Sequence, residues 1–323
     1  MVERLLLESF ALESGSELAP VEVAYADYGP RDAPVVVVHH ALTGDAEAAV
    51  WWDALVGPGL PVDTERFRVV CANLLGGCRG TTGPSSVDPA TGEPYGLAFP
   101  LFTVRDLVGV QRALLRSLGV QRVHAAIGGS LGGMQALQWS LDEPEEVARA
   151  ILICASARLS AQNLGFSKVG REAILRYDAM GVARMLAHLT YLSGEGMALK
   201  FDRARRGAGM TLESDFQVEH YLDHQAEIFL ARFDPLTYLY LSRTMDYFEP
   251  FASAGDRPPA TRYLVISFDS DWRFGTEHSA LIEAELLARG ASVARHEVRS
   301  PWGHDSFLMD VPEYHALVRE FLG

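Results

Sequence analysis

Three cysteines in 323 residues, Cys71, Cys78 and Cys154, form neither an even set nor a C-x-x-C pair. That leaves no support for a disulfide framework or a structural zinc site, and a reducing cytoplasm is the simplest expectation. Basic charge is also scarce. Lys and Arg number 28 against 42 Asp and Glu, a net charge of −14, so no nucleic-acid partner and no anionic membrane surface is expected, since either needs a basic face. Long apolar runs are missing: nothing approaches the ~18 residues of a membrane span. The opening MVERLLLESFALESGSEL lacks the basic start, apolar core and small-residue cleavage site of a secretory signal. With 48% hydrophobic and 22% charged residues, the composition is that of an ordinary soluble enzyme.

What is present is most informative at Gly128-Gly-Ser-Leu-Gly-Gly-Met134. An apolar run from Val123 to Ile127 predicts a buried strand before it, and Leu131 to Trp139 predicts a helix after it. A serine held between glycines on a sharp strand-to-helix turn is the nucleophile elbow of the α/β-hydrolase fold, which lifts the Ser130 hydroxyl above the sheet. In that fold the acid and then the histidine follow in chain order. Arg262 to Ser267 reads as a late buried strand running into Phe268-Asp-Ser-Asp-Trp272, and Trp302-Gly-His-Asp305 places a histidine in a loop before a final amphipathic helix. Ser130, Asp271 and His304 are therefore the candidate triad, with Asp269 competing for the acid. A serine hydroxyl needs a histidine to take its proton, and the imidazole needs a carboxylate to fix its tautomer.

Other histidines have plainer readings. His124 falls inside a predicted buried strand, His278 and His315 fall on helix faces, and His220 with His224, four apart on a helix, lack a third metal ligand at suitable spacing. No metal site is expected.

Strand-like and helix-like segments alternate from residue 1 to about 155. Residues 4–11 and 20–27 predict an opening antiparallel pair, 34–39 and 67–72 buried strands, 103–118 a helix capped by Thr103 and Asp106, and 149–155 another strand. From about 156 to 255 only helical periodicity appears, near 165–177, 181–193, 214–230 and 235–248, before sheet character returns at Arg262. The fold class is α/β: an α/β-hydrolase core of residues 1–155 and 256–323, with a mostly parallel sheet covered by helices on both faces, and a helical lid inserted at 156–255. The oxyanion hole is expected from the backbone N–H of Leu131, after the nucleophile, and of Leu42, in the loop His40-Ala-Leu-Thr-Gly44.

These residues also carry a resemblance. His40 to Gly44, Asn73-Leu-Leu-Gly-Gly-Cys-Arg-Gly-Thr-Thr-Gly-Pro-Ser-Ser86, Gly128 to Gln135, Asn163 to Phe166, Arg171 to Ile174, Arg232-Phe-Asp234, Met245-Asp-Tyr247, Ser270 to Trp272 and Gly303 to Leu308 together resemble the homoserine O-acetyltransferases of methionine biosynthesis over nearly the whole chain. The resemblance implies an acetyl-CoA-dependent transfer to the hydroxyl of L-homoserine by a ping-pong route, with acetyl-CoA as co-substrate and no tightly bound cofactor. It also implies a homodimer built through the helical lids. It selects Asp271 as the acid, and gives Arg171 the homoserine carboxylate and Asp305 its ammonium group. One departure stands out: where the family commonly continues the acid motif with leucine and proline, this chain has Trp272-Arg-Phe-Gly275. Relatives of the same architecture use succinyl-CoA or acylate serine, and a plain esterase shares the triad.

Overall fold

The computed structural model describes residues 1–207, 209–253, 255 and 259–323. Eight strands form the main sheet: β1 (Val2–Leu7), β2 (Val21–Tyr28), β3 (Val35–His39), β4 (Arg68–Ala72), β5 (Ala125–Gly129), β6 (Arg149–Ile153), β7 (Arg262–Phe268) and β8 (Ser292–Val298). Their spatial order is 1-2-4-3-5-6-7-8. β1–β2 and β2–β4 pair antiparallel; every later pair is parallel. Central strands such as VVVVH and AAIGG have almost no exposed residue, as a sheet covered on both faces requires. Their side chains alternate between two cores. Val36, Val38, Val69, Cys71, Ala125 and Ile127 face one side, while Val37, Val70, Ala72 and Ala126 face the other.

Helices cover both faces. α1 (Val104–Ser117) begins at the expected Thr103–Asp106 capping box, and α2 (Leu131–Asp142) follows the elbow. The stretch between β6 and β7 holds α3 (Ala161–Tyr177), α4 (Met180–Tyr191), α5 (Gly194–Lys200), α6 (Gln217–Leu230) and α7 (Pro235–Asp246); α8 (Thr276–Ala288) and α9 (Pro312–Leu322) complete the core. α3 starts four residues earlier than its apolar periodicity predicts, because Ser160 and Asn163 close a capping box there. α5 and β8 have no counterpart in the sequence reading. β8 is an edge strand, SVARHEV, mostly exposed and so without a buried apolar run to reveal it. The first strand ends at Leu7, and Phe10–Ala11 pairs instead with Glu17–Leu18 in a small hairpin. The expected return to the core at 256 falls at residues outside the described ones. No helix among the described residues is long and apolar enough to cross a membrane.

The strand order places the site. From β3 the chain moves to β4 on one side and later to β5 on the other, so the loops after β3 and β5 diverge and leave a crevice at the strands' carboxyl ends. The loop His40–Gly44 and the Ser130 turn both open into it.

Candidate active site

Ser130 sits between β5 and α2 at φ 57° and ψ −123°, a strained conformation for a residue with a side chain. Its neighbours explain why glycine is required. A Cβ on Gly128 would lie 2.2 Å from the Gly132 carbonyl carbon, and one on Gly132 would lie 2.0 Å from the His39 carbonyl oxygen. The elbow thus presses the start of α2 against the end of β3.

His304 stands in a short 3-10 turn, Gly303–Leu308, and is buried. Its Nδ1 lies 2.7 Å from Asp271 Oδ2, while the other carboxylate oxygen accepts the backbone N–H groups of Arg273 and Phe274, both at 2.9 Å. With Nδ1–H donating to Asp271, the lone pair is left on Nε2, which is buried and has no protein partner. That is the protonation pattern of a general base. Asp269 is elsewhere: its carboxylate accepts the Ser300 N–H at 3.0 Å and ties together the loops after β7 and β8.

Ser130 and His304 line one cavity of about 220 Å³, together with Leu42, Arg184, Arg273 and Asp305. Leu131, the first residue of α2, and Leu42 keep backbone amides that no backbone carbonyl accepts among the described residues. Asp305 has its carboxyl raised by burial, opposed by His304 and Arg184. His188, also at the cavity, is pushed down to about 3 by burial and by Arg184, so its imidazole stays neutral.

Arg171 lies outside the cavity that Ser130 lines. Its guanidinium pairs with Asp246 at 2.6 Å and donates to Ser242, buried between α3 and α7, and it lines a separate surface cavity. The cations that do face Ser130 are Arg184 and Arg273. Arg184 leaves Nε and one terminal nitrogen unpartnered and lies 4.6 Å over the Phe229 ring. Arg273 donates to Thr190 Oγ1 at 2.7 Å and lies 5.3 Å from the Tyr191 ring centre. Arg232, of the Arg-Phe-Asp motif, donates to the Thr43 carbonyl at 3.0 Å and so braces the loop after β3 from the lid. Sequence reasoning missed Arg184, because an arginine on an amphipathic helix reads as solvated; its i, i+4 spacing to His188 was the available signal.

The remaining histidines divide. His278 is buried on α8 with Nδ1 2.7 Å from Ser156 Oγ, and His315 lies on α9. His124 precedes β5 and is only half-buried, with Nε2 at 2.8 Å from the Leu322 carbonyl. Among the described residues, the metal-ligating atoms close enough to share an ion are those of Cys154, Asp271 and His304, and the last two are already committed to each other. His220 and His224 gain no third ligand.

A strained serine elbow, a histidine on a buried carboxylate and two free amides define an α/β hydrolase, and the alpha/beta hydrolase fold family matches residues 34–311. The crystal structure of homoserine O-acetyltransferase from Bacillus anthracis superposes with a TM-score of 0.90 at 22% identity, covering 100% of this chain and 97% of that one, and so shares the fold. At the sequence level the chain is 52% identical to a homoserine O-succinyltransferase of Nocardioides sp. over 97% of this chain and 94% of that protein. It is 43% identical to a homoserine O-acetyltransferase of Rhodopseudomonas palustris over 96% and 87%. The chain belongs to the homoserine O-acyltransferase family.

Proposed function

We propose that this protein transfers a succinyl group from succinyl-CoA to the γ-hydroxyl of L-homoserine through an acyl-Ser130 intermediate, as a cytoplasmic step of methionine biosynthesis. The acetyl donor implied by the resemblance gives way to succinyl on one observation: two guanidinium groups, Arg184 and Arg273, line the same small cavity beside a single carboxylate, Asp305. Homoserine, a zwitterion, uses one cation and one anion. An acetyl group would give the second cation no charged partner, whereas a succinyl chain brings a second carboxylate to it. The names of relatives divide between the two donors; Arg273 supports the succinyl reading, and the 52% relative carries the succinyl name.

In the first half-reaction Ser130 Oγ attacks the thioester carbonyl carbon while His304 Nε2 takes the hydroxyl proton. The Leu42 and Leu131 amides hold the oxyanion, each such donor being worth a few kcal/mol. The C–S bond breaks, the proton passes from His304 to the departing sulfur, and the acyl ester remains on Ser130. In the second, Asp305 holds the homoserine ammonium and Arg184 its carboxylate. His304 deprotonates the γ-hydroxyl, whose oxygen attacks the acyl carbon; the bond from that carbon to Ser130 Oγ then breaks as His304 returns the proton to Oγ, leaving the ester on homoserine. Positioning of the alcohol and exclusion of water by the lid separate transfer from hydrolysis. Exposed apolar side chains on α3 and α4, among them Val169, Leu175, Tyr177 and Val182, support a homodimer formed through the lid.

The test is a CoA-release assay crossing acetyl-CoA and succinyl-CoA with homoserine and serine. Succinyl-CoA with homoserine should give the highest kcat/KM, and Arg273→Leu should lower the succinyl-to-acetyl preference by roughly 10- to 100-fold, the value of one charge-assisted contact. A wild-type preference for acetyl-CoA would overturn the donor assignment.

A further inference from the structure

Gln135 lies one turn into α2, wholly buried, four residues after Leu131. Its Nε2 donates to the carbonyl oxygens of Leu131 and His40, each at 3.2 Å, and its Oε1 accepts from Gln111 Nε2 at 2.6 Å. One side-chain amide therefore joins the elbow helix to the loop after β3. The Leu131 carbonyl belongs to the peptide unit next to the one carrying the Leu131 N–H. The His40 carbonyl likewise belongs to the unit next to the one carrying the Leu42 N–H.

His40 grips that second unit directly. The Leu74 N–H donates to its Nε2 at 3.3 Å, so the ring proton is on Nδ1, which donates to the Ala41 carbonyl at 2.8 Å. The Ala41 carbonyl and the Leu42 N–H are opposite ends of one planar peptide. Holding the oxygen against His40 aims the N–H the other way. Asn73 fits this tautomer once its amide is turned: Nδ2, otherwise without a partner, then shares the single Nε2 lone pair with the Leu74 N–H in a three-centre contact, in place of Oδ1, which now stands 3.1 Å away. Burial lowers the His40 pKa, so the ring carries no charge to disturb the arrangement.

We infer that His40 and Gln135 are positioning residues of the oxyanion hole, a buried brace that aims the Leu42 and Leu131 amides at one point. The alternative is that they merely fill the core. An oxyanion hole works because its donors are fixed before the charge develops, and loss of one donor costs on the order of 10²–10³ in rate. A donor left in place but free to swing loses part of that. Both half-reactions pass through an oxyanion at this point, so both must slow together.

The inference rests on the acyl-serine route but not on which acyl-CoA is used. Acylation with p-nitrophenyl acetate makes the test independent of donor: burst amplitude counts working sites, burst rate reports acylation, and subsequent turnover with homoserine reports deacylation. Gln135→Glu keeps shape and removes at least one of the two donations, both when ionised and one when protonated. It should retain the burst amplitude while acylation and deacylation rates per site both fall about 10- to 100-fold, with the homoserine KM within about twofold of wild type. Should Gln135→Glu not fold, Gln111→Leu, which frees the far end of the Gln135 amide, should show the same paired loss at about 3- to 10-fold. Unchanged rates per site with a lowered amplitude or melting temperature would make the pair structural and overturn the brace, as would a loss confined to homoserine KM. A wild-type enzyme that shows no acyl mass on Ser130 takes down the acyl-serine route and the brace with it, an outcome distinct from an unaffected variant.

Discussion

Ser130 contributes one hydroxyl on a turn and no core volume, so Ser130→Ala should fold normally and fail chemically. Mass spectrometry of wild type given acyl-CoA alone should show one acyl group on the peptide containing Ser130, absent in the variant. Asp271→Asn should lower kcat on the order of 10⁴ by leaving His304 in the wrong tautomer, whereas Asp269→Asn, which loses a contact to the Ser300 amide, should be mild. Asp305 predicts a pH dependence. Burial raises its carboxyl above its ordinary value, against the pull of His304 and Arg184. Only the ionised form holds an ammonium group, so kcat/KM for homoserine should fall as pH drops through that raised value, with no matching limb in the acylation half-reaction. Asp305→Asn should abolish the limb together with most homoserine turnover; a limb that survives assigns it to another group. Ser130, His304 and Asp305, which line one cavity, could be picked out in the sequence because each sits in a short glycine-marked motif, and Asp271, which meets His304, because it follows a buried strand. The pairing of Arg171 with Asp246 was not legible, because the two are distant in the chain and no pattern local to either residue tells a substrate-binding arginine from one already paired.

Between elements, the Arg171–Asp246 pair joins α3 to α7 inside the lid, with both side chains almost fully buried. Breaking such a pair by removing one partner costs roughly 3–5 kcal/mol. Arg171→Ala should therefore lower the melting temperature while leaving the homoserine KM of the folded enzyme unchanged. Arg184→Ala should do the reverse, raising KM with little loss of stability. Steady-state kinetics beside thermal melts would separate them, and a raised KM in Arg171→Ala would restore it to the substrate site. Element boundaries were legible where a side chain caps a helix, as Thr103 does, or where a strand is buried on both sides, as β3 and β4 are, whereas β5 runs Ala125–Gly129, two residues later than the apolar run Val123 to Ile127, because the glycines that carry it to the elbow add nothing to that run. They were not legible for β8, whose pairing to β7 is a backbone matter at a sheet edge that leaves little trace in side-chain type.

For the molecule as a whole, the lid face with Val169, Leu175, Tyr177 and Val182 predicts self-association. Sedimentation of the wild type should give a dimer, and Val169→Glu with Val182→Glu should give monomers; a monomeric wild type would leave that face unexplained. The core clamps itself shut at its far end. Trp52 Nε1 and Tyr314 Oη both donate to the Phe307 carbonyl at 2.7 Å, and the Leu322 carbonyl meets His124, so α9 holds the turn that carries His304 against the start of the sheet. The nucleophile, seven of the eight main-sheet strands and the entire lid precede the acid, and all eight strands precede the base. During synthesis the elbow can form early, yet Ser130 has no base to take its proton until β7 and the His304 turn have emerged, and that turn has no support until α9 docks. A nascent chain is consequently unable to consume acyl-CoA before those segments emerge: reactivity waits on the acid, the base and the helix that supports their turn, all of which follow the nucleophile.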